Sequence, residues 1–336
     1  MDKPCFQAYS FSSHTGEGIV QSRLYQPLPD DSAGAAAAGQ PPRLLIQIIH
    51  GMCEHMARYD AFCTFLARQG FAVCIHDLAG HGQTAPSPEK LGYFGPQNGC
   101  RTVLDDVQEA ADRALALLRA SFPGQPEPGR VIFGHSMGAF IGQMYCIRPG
   151  VQLAGAIFSG TSGPNKSVYL GLYLARRSIR RYGPLYRDEH MARKIAAVML
   201  KKITPVRTPW DWLSRDEAVV DAYIADPRCG FTFTAAGYRD MYTWLRLISR
   251  PDWAGKVPAG LPILLVSGDQ DPLGKYGNGP RVIRQRLLLT GHHVMMKLYA
   301  GSRHEILNDI NRQEVWQDLA IWMANLAQTR EREQQS

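Results

Sequence analysis

The chain reads as an α/β protein: a mostly parallel central sheet covered by helices on both faces, with a helical insertion late in the order. Compact apolar runs at Leu44–Ile49, Phe71–Ile75, Val131–Phe133, Leu153–Phe158, Ile263–Val266 and Val294–Tyr299 have the length of buried strands. Helical periodicity fills the gaps between them, at Met56–Gln69, Thr102–Ser121, Ala139–Ile147, Tyr276–Thr290 and Glu305–Ala327. That rhythm breaks between Gly160 and Gly260, where helical patterns continue without a convincing buried strand.

Taken in order, Cys5–Ser12 and Ile19–Tyr25 alternate apolar and polar residues around the turn Thr15-Gly16-Glu17-Gly18, which predicts an antiparallel pair at the sheet edge. Pro27–Pro42 has the composition of a mobile surface loop. The expected organisation is a core from residues 1–160, a cap from 161–260 and the rest of the core from 261–336.

With 336 residues the chain can bury a sizeable core. Met1–Ser10 lacks an apolar stretch behind a basic start, and no segment reaches the roughly 18 apolar residues of a membrane span, so a soluble cytoplasmic protein is expected. The seven cysteines are dispersed, odd in number and without a C-x-x-C pair, which points to neither a disulfide framework nor a zinc site. The net charge of +7 comes with no nucleic-acid-binding motif, so no nucleic acid is expected as partner.

The strongest local signal is Gly134-His135-Ser136-Met137-Gly138, a G-x-S-x-G pattern between a short strand and a helix. A sharp strand-to-helix turn exposes the serine hydroxyl and needs small neighbours, which makes Ser136 the candidate nucleophile. In such a site the acid and then the histidine follow in the chain. Asp271, in Gly268-Asp269-Gln270-Asp271-Pro272 after a late strand, is the preferred acid, because Pro272 holds it extended; Asp269 reads as a turn former and stands second. His304 lies between the last strand and the final helix and is the candidate base. His292 and His293 precede that strand and are expected in an exposed loop at its other end.

His50-Gly51-Met52 follows the strand Leu44–Ile49, and its turn can aim the Met52 N–H at an oxyanion together with the Met137 N–H. His50 and His55 belong to no H-E-x-x-H pattern, and Glu305 lacks a second histidine, so structural hydrogen bonding is expected of both histidines and no metal or other cofactor is implied. The glycine-rich turn Asp77–Gly82 is read as loop architecture.

With these residues in view, the chain resembles the monoacylglycerol lipase and lysophospholipase group of α/β-hydrolases. The likeness is carried by His50–His55 with Arg58-Tyr59, Asp77–Thr84, Gly134–Gly138, Gly268–Asp271 and Tyr299–His304. The resemblance implies an α/β-hydrolase fold, a serine esterase acting on an acyl ester, and a mobile cap. It departs from the group at Met52, where a small residue is common, and at Cys53, where glycine is.

In the cap, Val168, Leu172, Tyr173 and Ile179 suggest one apolar helix face, and Arg176, Arg177, Arg180 and Arg181 a basic flank, a surface suited to transient contact with a membrane. Trp210, Trp212, Tyr242 and Trp244 are candidates to line an acyl tunnel. The expected activity is hydrolysis of a single-chain ester, a monoacylglycerol or lysophospholipid, through an acyl-enzyme. A peptidase or amidase with the same triad, and an inactive ligand-binding homologue, are the competing readings. Head group, chain length and oligomeric state are not encoded in these motifs.

Overall fold

The structure is a computed structural model and describes residues 5–28 and 40–335. Most of the loop expected over Pro27–Pro42 lies outside the described residues. The sheet has eight strands: β1 (Gln7–Ser12), β2 (Ile19–Tyr25), β3 (Leu44–Ile49), β4 (Ala72–His76), β5 (Gly129–His135), β6 (Gly155–Ser159), β7 (Ile263–Gly268) and β8 (Val294–Tyr299). Their spatial order is β1-β2-β4-β3-β5-β6-β7-β8. β1 and β2 form the antiparallel edge, β2 also pairs antiparallel with β4, and every other pairing is parallel.

Period-two alternation divides each central strand between two cores. On one face Ile46, Ile48, Val131, Phe133 and Val266 meet α1 (Asp60–Arg68) and α9 (Arg312–Gln335), through Phe62, Leu66, Trp316 and Leu319. On the other, Ile49, Ile132, Phe158 and Leu265 meet α2 (Gly99–Ser121), α3 (Met137–Cys146) and α8 (Asn278–Leu289), through Val107, Phe140, Tyr145 and Leu287. Strands buried on both faces need the continuous apolar runs seen in the sequence.

Between β6 and β7 the described chain forms α4 (Ser167–Tyr182), α5 (Glu189–Leu200), α6 (Glu217–Ala225) and α7 (Ala235–Ile248). Met241, Trp244, Leu245 and Ile248 of α7 belong to the same buried cluster as Ile132 and Phe158, so this insertion is continuous with the core.

Two expectations are corrected. The apolar face expected on α4 is divided: Val168 is buried in the main cluster and Leu172 is buried too, whereas Tyr173 is exposed together with Tyr169, Leu170 and Tyr182. The helix expected over Glu305–Ala327 begins as a short 3-10 turn at Ile306–Asn308, and α9 starts only at Arg312, because the Asp309 carboxylate accepts N–H bonds from Arg303 and Ile310.

Candidate active site

β3 lies between β4 and β5, so the chain leaves its C-terminal end in one direction and returns on the other. The crevice at such a reversal point, beyond the carboxyl ends of the strands, is where open α/β sheets bind ligands. The turns after β3 and β5 carry Met52 and Ser136 to that edge.

Ser136 caps α3 with φ 55° and ψ −116°, a region that L-residues rarely adopt. Its N–H donates to Ser159 O at 2.8 Å, which ties the turn to β6. The glycines on either side are required by close approach: a Cβ on Gly134 would press on the Gly138 carbonyl, and one on Gly138 on the carbonyls of Ile49 and His50. Among the described residues Ser136 Oγ makes no hydrogen bond, and the residue is 8% exposed.

After β7, Asp271 is fully buried, its Oδ1 accepting the Leu273 N–H at 2.9 Å and its Oδ2 lying 3.0 Å from His304 Nδ1. That last contact lies off the direct line of the ring N–H, so it is a close charge pair more than a well-directed hydrogen bond. Asp269 faces elsewhere, accepting the Gly301 N–H at 2.8 Å and so tying the loop after β7 to the loop after β8. Burial works against the His304 imidazolium, but the charge of Asp271, helped by Glu305 and Glu54, outweighs it and lifts His304 above its ordinary 6.5. His135, with its ring centroid 4.8 Å from that of His304, is driven the other way, down to about 3, by burial and then by His304 itself. Gly160 leaves room for both rings, since a Cβ there would stand 3.0 Å from His304 Cε1 and 3.4 Å from His135 Cε1.

Neither backbone N–H at Met52 nor at Met137 is taken by another described group; Met137, as the first residue of α3, has no partner within its helix. His50 fixes the turn that carries Met52, its Nδ1–H donating to Gly51 O (2.8 Å) and its Nε2 accepting the Leu78 N–H (3.0 Å). The Asp77 carboxylate holds the next turn, taking the N–H groups of Met56 and Gln83, each at 2.7 Å.

Sequence reasoning missed a buried charge network beneath the site. Gly51 N–H and Tyr59 OH donate to Glu54 Oε1, and Arg58 donates to Glu54 (2.6 Å) and, in bidentate fashion, to Glu305 (both 2.7 Å). Burial would raise Glu305, yet Arg58 overcomes it and lowers the carboxyl to about 2. Glu305 adjoins His304, so one arginine joins the Met52 turn to the His304 loop across 247 residues of sequence. Glu54, Arg58 and Tyr59 stand inside the motif that carried the resemblance, whereas nothing local marked Glu305 as their partner.

Of the aromatic residues expected around an acyl tunnel, only Trp212 touches the site, its ring centroid 4.9 Å from that of His304. Trp244 is fully buried with its indole N–H on Cys100 O, Trp210 packs on Tyr223, and Tyr242 packs over Gly171 and Tyr238. His292, expected to be exposed, is buried with Nε2 on Val257 O at 3.1 Å.

Residues 40–311 match the hydrolase family described as serine aminopeptidase, S33. The chain belongs to this family of α/β-hydrolases. Within it the chain is 27% identical to a monoacylglycerol lipase of Mycolicibacterium smegmatis over 84% of this chain and 89% of that one. It is 26% identical to the monoglyceride lipase of Rattus norvegicus, over 80% and 82% of the two chains. A thermostable carboxyl esterase from Bacillus coagulans, solved in complex with glycerol, superposes with a TM-score of 0.84 at 30% identity over 97% of this chain and 100% of that one. This α/β-hydrolase is therefore an enzyme of the monoacylglycerol lipase and esterase type.

Proposed function

We propose that the chain is a serine hydrolase of single-chain carboxylic esters, such as a monoacylglycerol or a lysophospholipid, working through an acyl-enzyme. The observation that carries this reading is a strained Ser136 at the β5–α3 turn, on the sheet edge that also holds the buried His304–Asp271 pair. His304 Nε2 removes the Ser136 proton, while Asp271 holds the ring and stabilises its charge. The oxyanion is received by the Met52 and Met137 N–H groups, each such donor being worth roughly 3 kcal/mol in the transition state. Collapse expels the alcohol with the His304 proton, and water activated by His304 then releases the fatty acid. Protein groups and water perform every proton transfer in this scheme.

The family description raises peptide hydrolysis as the rival. An aminopeptidase needs a carboxylate for the substrate's free amine, and the buried carboxylates nearest His304 beyond Asp271, those of Glu54 and Glu305, are already held by Arg58. That favours the ester. Release assays across monoacylglycerols, lysophospholipids, aryl esters and aminoacyl amides test it: preference for an ester supports the proposal, and faster amide turnover rejects it.

The helical insertion is proposed to act as the cap, with Tyr169, Leu170 and Tyr173 beside Arg176 and Arg177 as the patch that meets a lipid surface. None of the described helices is long and apolar enough to cross a membrane. The seven cysteines, all free, support a reducing compartment such as the cytoplasm.

A further inference from the structure

Cap and core meet again behind the Met52 turn. His55 Nε2 lies 2.8 Å from Asp226 Oδ2, and Cys229 Sγ completes a group whose ligand atoms all stand within 4.8 Å of one another. His55 and Cys229 are buried and Asp226 half-buried, and all three line a pocket of about 390 Å3 that Arg58, Tyr223 and Asn308 also border.

We infer that this group binds a divalent cation of the zinc class. An imidazole nitrogen, a carboxylate oxygen and a thiolate are ligands such an ion accepts together, and the pocket offers an entry path and room for water at the fourth position. Tetrahedral coordination sets ligand atoms about 3.3–3.7 Å apart, so the side chains need to shift by about 1 Å or less. On binding, the ion replaces the Nε2–H contact of His55 with Asp226: the thiol proton passes to solvent, and the neutral ring gives up its Nε2 proton and takes one on Nδ1 through solvent, freeing Nε2 for the metal. Thiolate and carboxylate together balance the two positive charges. Asp226 Oδ1 remains on the Arg228 N–H (2.8 Å) and Nε (3.2 Å), which orients the carboxylate, while Arg228 Nη2, 3.2 Å from Oδ2, has to release that oxygen for it to coordinate. Of the arginines beside the pocket, Arg58 is held by Glu54 and Glu305, whereas Arg228 shares the Asp226 carboxylate with the ion and, with its side chain 40% exposed, has room to turn Nη2 toward solvent.

The ion would join His55, on the core, to Asp226 and Cys229, in the loop after α6. That loop and the end of α6 already grip the same turn: Gly230 N–H (3.0 Å) and Tyr223 OH (2.9 Å) both donate to Cys53 O, next to Met52. A bound ion therefore staples the cap shut over the turn, and it should slow esters that need the cap to open; this consequence rests on the proposed function, whereas the binding does not.

Cobalt(II) titration of the full chain tests the site, because a thiolate ligand gives a ligand-to-metal charge-transfer band that zinc addition bleaches. One equivalent should raise the band in the wild type and in Cys5→Ser, which removes the exposed cysteine, and Cys229→Ser should lose it with at least about tenfold weaker zinc binding. No band in the wild type, or a band that survives Cys229→Ser, overturns the site. Zinc should also lower long-chain ester turnover in the wild type and not in Cys229→Ser, with fluorophosphonate labelling of Ser136 in the metal-free protein unchanged by the substitution. A band with undiminished turnover overturns the staple, and absence of labelling in the metal-free wild type counts against the serine mechanism alone.

Discussion

At the scale of single residues, the site is governed by what burial does to charge. His304 is a base only when neutral, and its pKa is raised, so kcat/KM should fall as pH drops through a value above 6.5. Asp271→Asn removes the main group that lifts it and should move that acid limb downward while lowering turnover by orders of magnitude. An unmoved limb would mean that Asp271 is not the group facing His304. Arg58 carries a separate burden. Replacing it with Met leaves the buried Glu54 and Glu305 carboxylates without a counter-charge, and a loss of about 3 kcal/mol is expected in urea denaturation. A smaller companion change, Arg58→Lys, keeps the charge but loses the bidentate contact to Glu305, and should fall between wild type and Met.

At the scale of elements, the helical insertion holds both halves of the site. Glu305 N–H donates to Leu213 O and Arg303 to Ser214 O, beside His304, while Gly230 and Tyr223 hold the Met52 turn. Excising the insertion would also uncover the Ile132–Phe158 side of the core, so its role is better tested on its surface. Replacing Tyr169, Leu170 and Tyr173 with Ser should cut co-sedimentation with anionic vesicles severalfold while leaving turnover of a soluble aryl ester unchanged. Equal sedimentation would remove this patch from the membrane-contact proposal. The α4 helix also shows what one sequence could not tell. Tyr173 and Leu172 are neighbours of similar apolarity, and only the position of α7 decides that Leu172 is buried and Tyr173 exposed.

For the whole molecule, the central strands were legible because they are buried on both faces, which demands predominantly apolar runs such as Leu44–Ile49, whereas the edge strand Val294–Tyr299, found at the expected bounds, is apolar only in part and exposes Met295. The G-x-S-x-G turn was legible because backbone crowding at Gly134 and Gly138 restricts those positions to glycine. The Arg58–Glu305 bridge and the His55–Asp226–Cys229 group were not, since each is made by residues that only the closed fold brings together and that carry no local pattern. The same fold leaves Ser136, His304 and Asp271 buried. The central claim is that an acyl group passes through Ser136. Rapid acid quench of the wild-type chain during turnover of a long-chain monoacylglycerol, followed by peptide mass spectrometry, measures this directly: the acyl mass should sit on the peptide containing Ser136 and be absent in Ser136→Ala, with hydrolysis lost. An acyl adduct on another residue, with full hydrolysis retained in Ser136→Ala, would contradict the account.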